Sequence, residues 1–132
     1  MELVTLLTAD YANITQEGKI NVMGIFDRIS ASAFPARHPE MVLVMKLVAS
    51  PAEYNTQRKL NVKLMNADAS ATVIDWSRDM TVPQSETGER VEIQQFLTLR
   101  DLIFPAPGVY AFYVTVDNDD KGQARITLDQ KD

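Results

Sequence analysis

The sequence contains no cysteine, one histidine, one tryptophan and only five glycines in 132 residues. Each scarcity removes a class of chemistry. Without cysteine there is no disulfide framework, no thiolate nucleophile, no iron–sulfur cluster and no Cys-ligated zinc, and such a chain fits a cytoplasmic address. The glycines are too far apart to form a phosphate-cradling loop. No stretch approaches the ~20 apolar residues of a membrane-spanning helix. The first ten residues are apolar only in short runs, carry acids at Glu2 and Asp10, and lack a basic segment, so they read as a strand and not as a signal peptide. Basic residues are also short of a stripe: 13 Lys and Arg are interleaved with 18 Asp and Glu, for a net charge of −5. A nucleic-acid binder is expected to present a basic face, so no nucleic-acid partner is expected.

What the sequence does contain is two-residue alternation. A chain of this length is expected to form one domain over residues 1–132, burying roughly two-thirds of the surface its unfolded form exposes. Its hydrophobic share of 45% and charged share of 23% are those of an ordinary soluble globular protein. No window sustains the i, i+3, i+4, i+7 stripe of a helix. Leu3 to Tyr11 reads as a first strand, followed by a turn from Asn13 to Gly18. Lys19 to Ile29 reads as one strand in which Ile20 and Val22 hold one phase and Ile25 and Ile29 the other, with Gly24 where a bulge would sit. The two prolines between Ser30 and Glu40 predict a long connection. Met41 to Val48 is almost continuously apolar, as a central strand is.

In the second half, Leu60, Val62 and Leu64 alternate with Asn61 and Lys63. Val73 to Trp76 and Met80 to Val82 read as two short strands, and Val91, Ile93, Leu97 and Leu99 as a long one. After Pro105, Pro107 and Gly108, the series Tyr110, Phe112, Val114, Val116 faces a core that Ile93 and Leu97 of a neighbouring strand are expected to share. Asn118 to Gly122 reads as a turn into Ala124, Ile126 and Leu128. Seven or eight such strands with short polar turns predict an all-β, antiparallel two-sheet β-sandwich with Greek-key topology, immunoglobulin-like or C2-like.

With the strands placed, Leu6 to Asn13, Glu17 to Ile29 and Phe34 to Pro39 make one recognisable group, and Phe104 to Phe112 a second. Together they resemble an uncharacterised bacterial and phage family of small β-sandwich domains of unknown function, over nearly the whole chain. Pro-Gly-x-Tyr-x-Phe at residues 107–112 is also similar to a strand entry of many immunoglobulin-like domains, in which the Tyr110 hydroxyl would pin a corner. The resemblance implies a fold and no site.

The chemistry-bearing residues are few. His38 would need a nucleophile and an orienting acid to act as a base, and no Gly-x-Ser-x-Gly elbow is present. Asp117, Asp119 and Asp120 crowd one turn, but an EF-hand loop starting at Asp117 would need a bidentate Glu where Leu128 stands. Glu86, Glu89, Glu92 and Asp79 contain no pair selected by spacing as a hydrolase's acid and base. Trp76, Tyr54 and Tyr113 could make a sugar or peptide platform, or simply pack. The sequence therefore points to a non-catalytic protein-binding or assembly module, partnered by another protein or by itself, with no cofactor, metal or membrane contact. A calcium- or carbohydrate-binding domain is the alternative, and a hydrolase the third possibility. Phe34, Arg37 and His38, on the proline-stiffened connection, are the expected binding residues.

Overall fold

The structure is a computed structural model covering residues 1–132, and it is nearly all strand. Nine strands run in the order β1 (Glu2–Ile14), β2 (Ile20–Ile25), β3 (Arg28–Ala31), β4 (Ala36–Ala49), β5 (Gln57–Asn66), β6 (Thr72–Thr81), β7 (Val91–Phe104), β8 (Gly108–Val116) and β9 (Asp119–Gln130). A single 3-10 turn, Pro51–Glu53, interrupts them. The strands form two sheets, one ordered β2-β1-β4-β7 and the other β3-β9-β8-β5-β6. All neighbours are antiparallel except β3, which lies parallel to β9.

One core joins the sheets. Met41, Leu43, Met45 and Leu47 of β4 and Leu97, Leu99, Leu102 and Phe104 of β7 come from the first; Leu60, Val62, Leu64, Met80, Tyr110, Phe112, Val114, Val116, Ile126 and Leu128 come from the second. Each set occupies alternate positions along most of its strand, as a half-buried sheet requires. The register expected for β8 is the one found. Its neighbours differ, however: β8 pairs with β5 and β9, while Leu97 meets its residues from the opposite sheet. Ile93 lies on that same strand, half-buried against the core. Alternation reports which face a residue shares, not which strand lies beside it.

β4 is apolar on both faces for a specific reason. Its even-numbered residues Val42 and Val44 point away from the main core and form a second small cluster with Ala9, against which Ala12, Ile20, Val22 and Phe96 pack. The far half of the β1–β2 hairpin thus folds back over the outer face of the first sheet, and Gln94 Nε2 donates to the Gly18 carbonyl at 3.2 Å to hold its tip.

The segment expected as one strand, Lys19 to Ile29, is two. β2 belongs to the first sheet and β3 to the second, with Phe26 and Asp27 crossing between them. The Phe26 N–H donates to the Thr8 carbonyl at 3.0 Å, and the Thr127 N–H donates to the Asp27 carbonyl at 2.8 Å. These bonds fix the crossing to β1 on one side and β9 on the other. Conversely, one strand, β6 (Thr72–Thr81), runs where Val73 to Trp76 and Met80 to Val82 were expected as two. Trp76 sits opposite Val62 and packs on the core, bridging the apparent gap.

The second sheet curls into a half-barrel. Register shifts at Leu64/Met65 and Val114/Thr115 place bulges in the middle of this sheet, and a bulge bends its strand and raises its twist. The β8–β9 turn is tighter than Asn118 to Gly122: it consists of Asp117 and Asn118, both with positive φ (51° and 69°), the conformation of a two-residue type I′ hairpin.

Candidate functional site

The three residues expected to bind differ in exposure and in partners. Only residues 32–35 are a connection, because β4 begins at Ala36 and already contains Arg37 and His38. Phe34 is half-buried and packs against the main core. His38 lies opposite Leu102, with its ring tilted 45° against Phe26 at a centroid distance of 5.8 Å. Its Nε2 is buried and has no hydrogen-bond partner. Arg37 is exposed and paired with Asp101 on β7. Pro35 and Pro39 look like loop punctuation in the sequence, yet Pro39 is accommodated within the strand, where proline's missing donor is tolerated only if no ladder bond is needed from it.

The other chemical candidates are similarly separated. Tyr54 donates its hydroxyl to the Glu89 carbonyl, Trp76 packs inward, and Tyr113 stands on the outer face of the second sheet, so no aromatic platform joins them. Asp117 is occupied with β5: Oδ1 accepts the Lys59 N–H at 2.9 Å and Oδ2 accepts from Arg58 at 3.2 Å. These bonds, that from Lys59 first, hold its carboxyl below the usual range. No three His, Cys, Asp or Glu side chains converge as a metal site would require.

What the structure brings together is a surface around β2. β2 closes one end of its sheet and its outer edge has no neighbour. On the outward face of the hairpin, Tyr11 stands directly opposite Met23, and Ile25 follows two residues along. Their exposures are 50%, 56% and 64%, against an interior in which Leu, Met and Ile are mostly fully covered. Beside Ile25, where the two sheets approach each other, lies a cavity of about 320 Å³ lined by Leu6, Leu7, Thr8, Ile25, Phe26 and Ala124 among others. Gly24 makes this geometry possible. Its φ is +72°, and a Cβ there would fall 2.4 Å from Asp10 Oδ2.

The sequence expectation gave Ile25 and Ile29 a common phase on one strand, with Gly24 at the change of phase. Ile29 does pack on the core, but from the other sheet. The available signal was compositional: Ile20-Asn21-Val22-Met23-Gly24-Ile25 has no charge and no proline, the protective features edge strands usually carry.

The profile of a protein family described as a family of unknown function, DUF6941, matches residues 4–129. The chain belongs to this family. The expectation of a family without an assigned function is met, and the match spans both sheets. No curated protein matches the sequence. Among solved structures, the chain is similar to that of the Pseudomonas fluorescens alkylpurine DNA glycosylase AlkC bound to DNA containing an abasic site analog, with a TM-score of 0.54 and 12% identity over 97% of this chain. It spans 30% of the length of that chain. At this identity the likeness concerns fold alone. No helix in this DUF6941 member is long and apolar enough to cross a membrane.

Proposed function

We propose that this DUF6941 domain is a non-catalytic assembly module whose β2 edge pairs antiparallel with the same edge of a second copy. The observation that carries this is the unpaired, uncharged, proline-free β2 bearing exposed Met23 and Ile25 beside Tyr11. Such an edge presents free backbone donors and acceptors to any extended segment, and main-chain bonding plus alternate side-chain contacts is a general mode of strand addition. Charge favours a second copy as the occupant. If Met23 sits on the two-fold axis, residues equidistant from it meet across the interface, so Lys19 of one copy faces Asp27 of the other. The strand between them has no charge to repel its own image, although each chain carries a net −5.

The non-catalytic part of the proposal is supported by how the titratable groups are used. Arg28 is raised by its bond and charge pairing with Asp129. Glu53, Asp68 and Asp117 are lowered by hydrogen bonds to, respectively, the Met1 amine, Ser70 and the Lys59 backbone. Each shift is accounted for by a structural partner within the fold. Nucleic acid has less support, because acidic residues are interleaved with the basic ones throughout. We further read the two sheets, with their shared core and the crossing of β3 to lie beside β9, as an immunoglobulin-like Greek-key sandwich with one strongly curled sheet.

Sedimentation at increasing protein concentration tests the assembly. The wild type is expected to form a dimer, and Met23→Lys, an exposed substitution, to remain monomeric with an unchanged melting temperature. A wild-type chain that stays monomeric up to about millimolar concentration, a range that would detect even weak association, rejects self-pairing. A dimer unaffected by Met23→Lys assigns the contact elsewhere.

A further inference from the structure

The outer face of the second sheet carries the largest concavity of the molecule, a groove of about 600 Å³, and eight of its nine lining residues are polar or charged. Three strands supply it. Lys59, Asn61 and Lys63 project from β5, Asp75 and Ser77 from β6, and Tyr113 and Thr115 from β8, each at the position alternating with a core residue. The buried partners Leu60, Val62, Leu64, Phe112 and Val114 therefore hold the groove's floor on a rigid sheet.

The floor is pre-ordered. Asn61 Nδ2 shares its hydrogens among Asp75 Oδ1 at 2.9 Å, Ser77 Oγ at 2.9 Å and the Trp76 carbonyl at 3.1 Å. This leaves the Asn61 carbonyl oxygen and most of the Asp75 carboxylate's acceptor capacity open to a ligand. Lys59 and Lys63 stand about 13 Å apart at strand spacing, and neither ammonium is in an ion pair. Lys63 and Tyr113 are directly opposite each other in the β5–β8 register. Tyr113 is half-buried, so its ring is held in place while one side remains accessible.

We infer that this groove is a binding site for a neutral oligosaccharide. The two lysines and the carboxylates of Asp75 and Asp117 cancel in formal charge, so nothing selects a phosphate chain and the acids would repel one. One hydrophobic lining residue among nine leaves no seat for an apolar ligand. A ligand that both donates and accepts hydrogen bonds at closely spaced positions, and has an apolar face to lie against one aromatic ring, fits the donors, acceptors and Tyr113 together. Hydroxyl-rich pyranose rings have those properties. The site is independent of the β2 edge, which belongs to the other sheet.

Titration of the full chain with maltohexaose, cellohexaose and chitohexaose, followed by amide NMR shifts, tests the inference. At least one neutral hexasaccharide is expected to shift resonances confined to the outer positions of β5, β6 and β8. Tyr113→Ala is expected to weaken that binding by about tenfold, the loss of one aromatic contact, and Lys63→Ala, at an exposed position, to weaken it without changing the melting temperature. Met23→Lys should leave it intact whether or not it alters the oligomeric state. Absence of binding by all three probes overturns the inference. So does binding that survives both groove substitutions, or binding of an oligogalacturonide or a single-stranded oligonucleotide in place of the neutral probes.

Discussion

Tyr110 shows how a single residue does two jobs whose energies separate. Its ring is 2% exposed and meets Phe104 edge-on at a centroid distance of 5.1 Å and an angle of 79°. Its hydroxyl donates to the Ala106 carbonyl at 2.7 Å and accepts the Ala106 N–H at 3.3 Å, pinning the Pro105–Gly108 connection to the strand it feeds. This corner is the one the Pro-Gly-x-Tyr-x-Phe spacing implies. Tyr110→Phe keeps the ring and removes only the hydroxyl, so it is expected to cost about 1–2 kcal/mol. Phe112→Ala, two residues on, empties a fully buried ring position and is expected to cost about 3–5 kcal/mol. Urea unfolding of the two variants checks the ratio. Equal costs would mean that the corner bond, and not the packing, sets the stability of β8.

Among the elements, the β1–β2 hairpin depends most on one backbone conformation. Its inward side chains Ala12, Ile20 and Val22 cover Val42 and Val44, while Tyr11, Met23 and Ile25 remain outside. The hairpin then passes into the crossing that joins the two sheets. Gly24 stands between the exposed Met23 and Ile25, in a left-handed conformation that β-branched residues rarely adopt. Gly24→Val is expected to destabilise the domain by roughly 1–3 kcal/mol and to raise amide exchange in residues 20–25, while the core strands β5 and β8 keep their protection. The hairpin contributes the small outer cluster, not the main core, so its local opening is expected to lie below global unfolding. Uniform loss of protection in all strands would show that the hairpin folds as one unit with the rest.

At the scale of the whole molecule, the start of β1 is tied to the β4–β5 link by charge. The Met1 amine donates to Glu53 Oε1 at 2.8 Å, the Ser50 N–H adds a bond at 3.1 Å, and Arg58 lies 3.6 Å from Oε2. With its side chain 13% exposed, Glu53 is held below its ordinary value of 4.5, chiefly by the Met1 amine. A carboxyl whose folded pKa is depressed adds stability above its unfolded pKa and loses it as pH falls through the folded value. Glu53→Gln is therefore expected to cost about 2 kcal/mol at neutral pH, with the difference from wild type shrinking below about pH 4.5. Denaturation midpoints across pH check this, and a pH-independent difference would make the contact one of packing alone. Sequence alone sufficed for the all-β class, the core face of β8, the corner at Tyr110 and the central position of β4, because alternation, tyrosine placement and a doubly apolar run are local consequences of burial. Tertiary structure decided the rest. Whether Ile25 faced the core depended on a change of sheet at Phe26–Asp27, and Arg37 and His38 became strand residues because β7 offered them partners from the far side of the sequence. Asn61, Lys63 and Tyr113 share a groove because β5 lies between β6 and β8. Pairing between distant strands is set by the sum of many weak side-chain contacts, and no single segment records which neighbour will supply them.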